Sequence, residues 1–265
     1  MKVALCLSGH VRNLEQNYLS LKNSLLNFYD VDIFLHTWDT YGWRVDGINI
    51  TTDEGGFKGF DYYSGKINQD RINELLRPKK FVVDNYKDYE DVFVQKTKSY
   101  TNLRCPDKDR PSNMASMWYK IMKCNELKKN YEEENSFKYD IVIRTRPDLV
   151  YFAPIIDENI LLLYKKTVIV PIVESHGFAS DLMAVGSSKI IDIASNVYEH
   201  LDEIKDSNCP MNPHNVLEFY YNKFFSNRIY KHDFKMYFNR CRKNCGTLVC
   251  NSCHPLNTVL SDKKD

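Results

Sequence analysis

The first forty residues contain a strand, a helix and a second strand, and this succession restricts the chain to few folds. Residues 3–7 form an unbroken apolar run, which is typical of a strand buried on both faces. Apolar side chains then recur at spacings of three and four, which predicts one buried face of a helix. They are Leu14, Tyr18, Leu21, Leu25 and Phe28. Residues 31–35 form the next strand, so the unit predicts a right-handed parallel crossover.

The rest of the chain continues this alternation of helices and strands. Helices are predicted over 67–76, 111–134, 188–201 and 213–225. Strands are predicted over 81–83, 139–144, 167–173 and 229–238, the last from its alternating apolar and polar residues. Residues 40–66 and 87–110 are predicted to be irregular. We therefore expect an α/β domain over residues 1–238, with a mostly parallel sheet between helices, and a Cys-rich tail over 239–265.

Composition narrows the class of protein. The 265 residues carry 36 Lys and Arg against 35 Asp and Glu, so the formal net charge is only +1. A dedicated nucleic-acid binder usually carries a strong basic excess, so this near-neutral balance argues against one. The chain also contains 18 Tyr, 14 Phe and 3 Trp, whereas disordered chains are poor in aromatic residues. The sequence therefore predicts a folded protein that does not bind nucleic acid.

The hydropathy pattern indicates in which cellular compartment the protein is expected. No stretch approaches the roughly 20 apolar residues that a membrane span needs. The apolar run at residues 3–7 is also too short for the core of a signal peptide. We therefore expect a cytoplasmic protein without a membrane span, in the host cytoplasm if the chain is viral.

A loop after the first strand is the first candidate binding segment. Ser8 and Gly9 separate that strand from the following helix, and Arg12 adds a positive charge. A glycine lets the backbone approach a ligand, and a helix N-terminus offers free N–H groups to an anion. These features suit a nucleotide or its phosphates. An ordinary turn with a surface arginine is the alternative.

A second candidate segment follows the strand at residues 139–144. Arg144, Arg146 and Asp148 alternate there, so we expect them to share one side. Two guanidinium groups can clamp a diphosphate, and an aspartate can hold a divalent cation that bridges the same phosphates. A purely structural Arg–Asp cluster is the alternative. In an open parallel sheet both segments would lie at the ligand-binding edge.

Several segments together resemble a known family. They are ALCLSGHVRN, DVDIFLHTWD, SMWYKIMKCNELKK and YDIVIRTRPDLVY, in that order. They resemble the GT-A-type glycosyltransferases of bacterial surface-polysaccharide clusters and large DNA viruses. Residues 180–187 resemble the same group's Asn-Asp-x-Phe-Ala-x-Gly-Ser stretch. The resemblance spans most of residues 1–225 and is not specific for the sugar.

The resemblance implies transfer of a sugar from a nucleotide-sugar donor to a glycan or glycoprotein acceptor. It implies that the donor is held by residues of the two candidate segments. These residues are Leu7, Ser8, Gly9, Arg12, Arg144 and Arg146. Residues 146–148 occupy the place of the family's Asp-x-Asp metal motif, with Arg146 where the first Asp would stand. The resemblance thus implies a Mn²⁺ or Mg²⁺ ion on Asp148, with Arg146 able to take over part of the charge neutralisation.

Catalysis with inversion also needs a carboxylate base for the acceptor hydroxyl. Asp181 is the candidate, and Glu174 and Glu218 are its rivals. Asp181 could instead cap a helix or bind sugar without transferring a proton. The missing first acid at Arg146 also supports a second function: a catalytically silent relative that binds a nucleotide or glycan, or acts in assembly.

Cysteines crowd into the end of the chain. Cys241, Cys245, Cys250 and Cys253 have the spacing C-x3-C-x4-C-x2-C. Four thiols with a close CxxC pair can form a tetrahedral zinc site, although this spacing matches no standard zinc knuckle. Free thiols, or disulfides formed on isolation, are the alternatives. A zinc site would make the tail an interaction module attached to the enzyme.

Overall fold

The computed structural model describes residues 1–41, 65–100, 111–172 and 179–238. These residues form a seven-stranded mixed sheet with helices on both faces, and a separate two-stranded sheet. The strands are β1 (Val3–Ser8), β2 (Val31–Trp38), β3 (Lys80–Asp84), β4 (Ile141–Thr145), β5 (Leu149–Tyr151), β6 (Val168–Pro171), β7 (Met183–Gly186), β8 (Ile229–His232) and β9 (Met236–Phe238).

Helices connect most of these strands. They are α1 (Leu14–Leu21), α2 (Gln69–Leu76), α3 (Lys87–Thr97), α4 (Pro111–Glu134), α5 (Glu158–Leu163), α6 (Ser188–Ala194), α7 (Leu201–Asp206) and α8 (Pro213–Phe225). A π-helical turn, Lys22–Leu26, extends α1, and a 3₁₀ helix, Val197–His200, precedes α7.

The strand order in the main sheet is β3-β2-β1-β4-β7-β6-β8. The four strands β3, β2, β1 and β4 are parallel, while β7 runs antiparallel to both of its neighbours. Leu5 of β1 lies opposite Ile33 of β2 and Ile143 of β4. The prediction of a mostly parallel α/β sheet is confirmed. The carboxyl ends of β1, β2, β3 and β4 meet at one edge of the sheet, which we call the carboxyl edge.

The sheet separates two hydrophobic cores, because successive side chains of a strand point to opposite faces. Ala4 and Cys6 of β1 pack with side chains of α4, α6 and α8, and Leu5 and Leu7 pack with α1, α2 and α5. All six residues of β1 are buried, which explains its continuous apolar run. Cys6 is a core residue, as the sequence predicts.

The first helix differs from its prediction at its C-terminal end. The α-helix ends at Leu21, and the next turn is π-helical, with the Asn27 N–H donating to the Lys22 carbonyl at 2.9 Å. A π turn inserts one residue and therefore shifts the phase of the helix. Leu25 stays buried, whereas Phe28, predicted on the same face, is exposed.

Two other helical segments also differ from the prediction. Residues 87–97, predicted to be irregular, form α3, in which only Phe93 and Thr97 are buried. Because these two buried residues lie in a mostly polar segment, the sequence shows no clear helical periodicity there. The helix predicted over 188–201 is broken after Ala194, where the Asn196 N–H donates to the carbonyl three residues before it. Serine and asparagine favour helix ends over helix interiors, which accounts for the break.

The strand predicted over 229–238 is two strands in two sheets. β8 pairs in parallel with β6 of the main sheet, and β9 pairs with β5 in the small sheet. Two tight turns separate them: the Phe234 N–H donates to the His232 carbonyl, and the Met236 N–H donates to the Phe234 carbonyl. Tyr230, Phe234 and Met236 nevertheless pack against the same core, as their alternation predicts.

Two further predictions concern the tail and the membrane. Cys241, Cys245, Cys250 and Cys253 lie outside the described residues, so the zinc site remains a prediction. None of the helices in the described ranges is both long and apolar enough to cross a membrane.

Candidate functional site

The first part of the candidate site is the turn at the end of β1. Gly9 has φ +100°, a conformation that L side chains rarely adopt, and its N–H donates to the His36 carbonyl at 3.2 Å. A Cβ at Gly9 would meet no described atom within 4 Å, so the turn borders open space. Leu7 and Ser8, predicted to face a nucleotide, are instead buried within β1. The backbone of Gly9 is what remains accessible at this point.

Arg12 completes this turn in a strained conformation. Its φ is 41°, in the left-handed region, and its N–H donates to the Tyr41 carbonyl at 3.1 Å. Such a conformation costs a non-glycine residue about 1–3 kcal/mol, and strained residues of this kind concentrate at functional sites. Its guanidinium reaches Asp148, which follows β4.

Arg12, Arg146 and Asp148 form one group, which we call the arginine cluster. Arg146 donates from Nε to Asp148 Oδ1 at 2.8 Å and from Nη2 to Oδ2 at 2.7 Å. Nη1 of Arg12 also donates to Oδ2. The Asp148 side chain is 1% exposed, whereas those of Arg12 and Arg146 are 19% and 18% exposed. The two arginine side chains therefore keep some exposure, whereas the carboxylate that they share has almost none.

The charges of the arginine cluster favour an anion. Burial alone would raise the pKa of the Asp148 carboxyl, but the adjacent Arg146 and Arg12 outweigh it and hold this pKa well below its usual range. Asp148 is therefore ionised at any ordinary pH. Within the arginine cluster itself, two positive charges stand against one negative charge, and the Asp181 charge lies near Arg146.

Arg144 does not join the arginine cluster, although the alternation predicts that it shares a side with Arg146 and Asp148. β4 ends at Thr145, so strand alternation does not extend to the later two residues. Arg144 is 1% exposed, and its Nη1 donates to the main-chain carbonyl of Asp181. A guanidinium this deeply buried does not face a ligand. Arg144 instead supports the backbone that carries Asp181.

Among the described residues, no carboxylate forms an ion pair with Arg144. Its Nε and Nη2 atoms are buried without a hydrogen-bond partner in the described part of the chain. Burial raises the pKa of the nearby Tyr221 hydroxyl on α8, and the charge of Arg144 opposes that rise. Arg144 and Tyr221 therefore form a polar support behind Asp181.

Asp181 itself lies just before β7. Burial would lower the pKa of Arg146, but Asp148 and then Asp181 raise it, which places the Asp181 charge near that guanidinium. Nδ1 of His214 lies 3.7 Å from Asp181 Oδ1. The structure therefore brings the predicted base close to the predicted phosphate-binding residue, Arg146.

Sequence reasoning did not identify His214 and Tyr221. Both lie on α8, seven residues apart and therefore on the same face of the helix. The start of α8 was nevertheless predicted, since Asn212 caps it by accepting from the Asn215 N–H at 3.1 Å. The cap and the seven-residue spacing could have indicated that these two polar side chains share one face of the helix.

The rivals of Asp181 are less well placed. Glu218 accepts from the Ala179 N–H at 2.9 Å through one oxygen and from Lys231 at 3.3 Å through the other. It therefore holds the segment before Asp181 in place. Glu174 lies outside the described residues.

A second buried polar group lies beside the turn, at the ends of β2 and β3. Lys120 of α4 donates from Nζ to Asp84 Oδ2 at 2.7 Å and to the Thr37 carbonyl at 2.9 Å, and Nζ lies 3.5 Å from the centroid of the Trp38 ring. Burial lowers the pKa of Lys120 to about 8, against the opposing effect of Asp84. Burial and the charge of Lys120 lower the pKa of His36 to about 3.

Lys120 was also missed by sequence reasoning. It lies on the side of α4 that includes Cys124 and Lys128, at a spacing of four positions, and all three are fully buried. This spacing places polar and apolar residues on one helical face. A polar stripe along a long helix is therefore the signal that could have indicated a buried lysine.

The described residues do not fit the divalent cation that the family resemblance implies. Both oxygens of Asp148 already accept hydrogen bonds from guanidinium groups, and Arg146 would place a positive charge beside the ion. No group of three or more His, Cys, Asp or Glu residues in the described ranges could hold a metal ion. A cation on Asp148 would have to displace at least one guanidinium from that carboxylate.

Comparison with known proteins does not assign a family. No protein-family model matches the chain, and no curated protein matches it. The resemblance to GT-A-type glycosyltransferases therefore rests on the sequence motifs alone.

Proposed function

We propose that this chain is a GT-A-type glycosyltransferase, which moves a sugar from a nucleotide-sugar donor to a glycan or glycoprotein acceptor. The observation that carries the proposal is the arginine cluster at the carboxyl edge. Two arginines with partly exposed side chains share a buried carboxylate there. Guanidinium forks match phosphate oxygens bidentately, so this group suits the diphosphate of a donor.

The neighbouring features agree with a bound donor. The open turn at Gly9 lies one strand from the end of β4, and the backbone can approach a ligand there. In sheets of this type, ligands bind beyond the carboxyl ends of the strands. The base and ribose would lie along this turn, with the diphosphate over Arg12 and Arg146.

The proposed reaction is a direct displacement at the anomeric carbon. The acceptor hydroxyl oxygen forms a bond to this carbon, while the bond from the carbon to the diphosphate oxygen breaks. The leaving nucleoside diphosphate takes the electron pair, and the guanidinium groups of Arg12 and Arg146 stabilise its charge. The proton of the acceptor hydroxyl passes to the carboxylate of Asp181, which lies beside Arg146.

A catalytically silent nucleotide- or glycan-binding protein is the second candidate. It is favoured by Arg146, which stands where the family has an acid, and by the small exposure of Asp181. Such a protein would bind a nucleotide sugar and release no nucleoside diphosphate.

Turnover separates the two candidates. The purified chain is incubated with a panel of nucleotide sugars, and release of nucleoside diphosphate is measured with and without glycan acceptors. The proposal predicts release from one donor. Binding without release would favour the silent protein, and binding of no donor would contradict the glycosyltransferase and leave only a glycan-binding form of the silent protein.

The role of Asp181 is tested with Asp181→Asn. An amide cannot accept the acceptor's proton, so we expect turnover to fall about a hundredfold or more. The affinity for a nucleoside diphosphate should stay close to that of the wild type. Asp91→Asn, at an exposed position of α3, is the matched control. Unchanged turnover in Asp181→Asn would exclude it as the base.

A further inference from the structure

We propose that the guanidinium groups of Arg12 and Arg146 take the place of a divalent cation, so that the chain binds a nucleoside diphosphate without any metal ion. This inference rests on the proposed function and specifies how the same site neutralises its substrate. It departs from the Asp-x-Asp pattern of the family that the sequence resembles.

The first support is the state of the Asp148 carboxylate. One oxygen accepts from Arg146 Nε, and the other accepts from Arg146 Nη2 and Arg12 Nη1. The carboxylate is 1% exposed, and its two partners cover it. A cation that approached Asp148 would have to pass two groups of the same charge and displace one of them.

The second support is the charge that the arginine cluster offers a ligand. The two guanidinium groups together carry the same formal charge as one Mn²⁺ or Mg²⁺ ion. The side chains of both arginines are also partly exposed, and planar guanidinium forks fit phosphate oxygens. The arginine cluster therefore supplies both the charge and the geometry that a bound metal ion would otherwise provide.

The third support concerns the role that remains for Asp148. An exposed carboxylate at this position would repel a diphosphate, and a metal ion would be needed to offset that repulsion. Here the buried carboxylate holds both guanidinium groups instead, with Arg146 bound through two parallel hydrogen bonds. Asp148 is thus a positioning residue that fixes the two arginines under the phosphates.

The experiment compares nucleotide binding with and without metal. Binding of UDP, GDP and CDP to the full chain is measured by titration calorimetry, once in EDTA and once in MnCl₂. We expect at least one of them to bind, with a Kd that differs by less than about twofold between the two media. Binding that requires Mn²⁺ would overturn this inference and leave the proposed function standing.

Variants test whether the arginines carry the binding. Arg146→Met and Arg12→Met should each weaken the binding about tenfold or more in both media, because a charge-assisted hydrogen bond to phosphate is lost. Arg71→Met, at a half-exposed arginine of α2, is the control and should bind as the wild type does. Wild-type affinity in folded Arg146→Met and Arg12→Met would overturn the inference.

The two proposals fail in different ways. If no nucleoside diphosphate or nucleotide sugar binds in either medium, the proposed function is wrong, and the inference falls with it. The comparison of EDTA with MnCl₂ uses the wild-type chain, so it decides the metal question even if a variant does not fold.

Discussion

At the scale of single residues, unusual backbone conformations occur in the turn that follows β1. Gly9 and Arg12 both have positive φ, three residues apart in one turn. Unlike glycine, Arg12 carries a Cβ atom, and this atom makes the left-handed backbone conformation costly. The strain brings its guanidinium to Asp148, so the local cost is offset by the contact that completes the arginine cluster.

Gly9 provides a test of this turn. We expect Gly9→Ala to destabilise the fold by about 1–3 kcal/mol, because alanine rarely adopts φ +100°. The new methyl group would meet no described atom, and it would project into the open space assigned to the nucleotide. Calorimetry should therefore show weaker nucleoside diphosphate binding by the folded variant. A folded Gly9→Ala protein with unchanged affinity would place the nucleotide elsewhere.

His36 makes the stability of the fold depend on pH. Its pKa is lowered to about 3 in the folded chain, mainly by burial, against 6.5 for a free histidine. As the pH falls below about 6.5, the unfolded chain binds a proton that the folded chain does not bind, so stability is lost. By about pH 5 this loss reaches about 2 kcal/mol.

The matching variant is His36→Gln, which cannot be protonated. Urea unfolding at several pH values should show a shallower loss of stability toward pH 5 than in the wild type. Curves of the same slope in both proteins would show that His36 does not cause the loss.

Some residues of the candidate site could be predicted from the sequence and others could not, for physical reasons. Arg12, Arg146 and Asp148 follow strands whose apolar runs are easily read, so their common edge could be predicted. Arg144 was misplaced because strand alternation stops at Thr145. His214 comes from α8, far along the chain, and a single sequence does not show which distant helix face meets Asp181.

At the scale of elements, α4 connects the site to the rest of the fold. Its buried Lys128 donates to Ser188 Oγ and to Asp192 Oδ1, both at 2.7 Å, and lies 3.3 Å from Glu132. Glu132 in turn accepts from the Tyr139 N–H at 2.9 Å, just before β4. These contacts join α4, α6 and the start of the strand that leads to Arg146. The charged end of α4 is therefore partly a buried network.

This network predicts a large effect of one substitution. Lys128→Met removes a fully buried cation and leaves Glu132 and Asp192 without that partner. We expect a loss of about 3 kcal/mol or more in the free energy of unfolding, measured in urea. Lys129→Met, at the adjacent and less buried lysine, should change it by less than about 0.5 kcal/mol. Equal losses in the two variants would show that the network is not coupled to folding.

Helices and strands with a strong apolar periodicity were predicted well, whereas elements that depend on tertiary contacts were not. The bounds of α8 match their prediction because Asn212 caps the helix and Pro213 begins it. α3 escaped prediction because its buried stripe is only two residues wide. The division of residues 229–238 between two sheets depends on which strands lie beside them, β6 and β5, and alternation alone does not show that.

At the scale of the whole molecule, the net charge of +1 does not show how the charged side chains are distributed. Positive groups gather at the carboxyl edge of the sheet, where Arg12 and Arg146 reach the surface over Asp148. The parallel strands bring together segments that are more than a hundred residues apart in the chain. The fold thereby brings two arginines from distant segments together on one carboxylate, in a chain that is nearly neutral overall.

The most direct test of the account is binding of a nucleotide sugar by the wild-type chain and by Arg146→Met. The account predicts that one donor of a nucleotide-sugar panel raises the Tm of the wild type in EDTA. It also predicts that this donor releases nucleoside diphosphate. Arg146→Met should lose both effects while keeping its fold. A wild-type chain that neither binds nor turns over any nucleotide sugar would contradict the account.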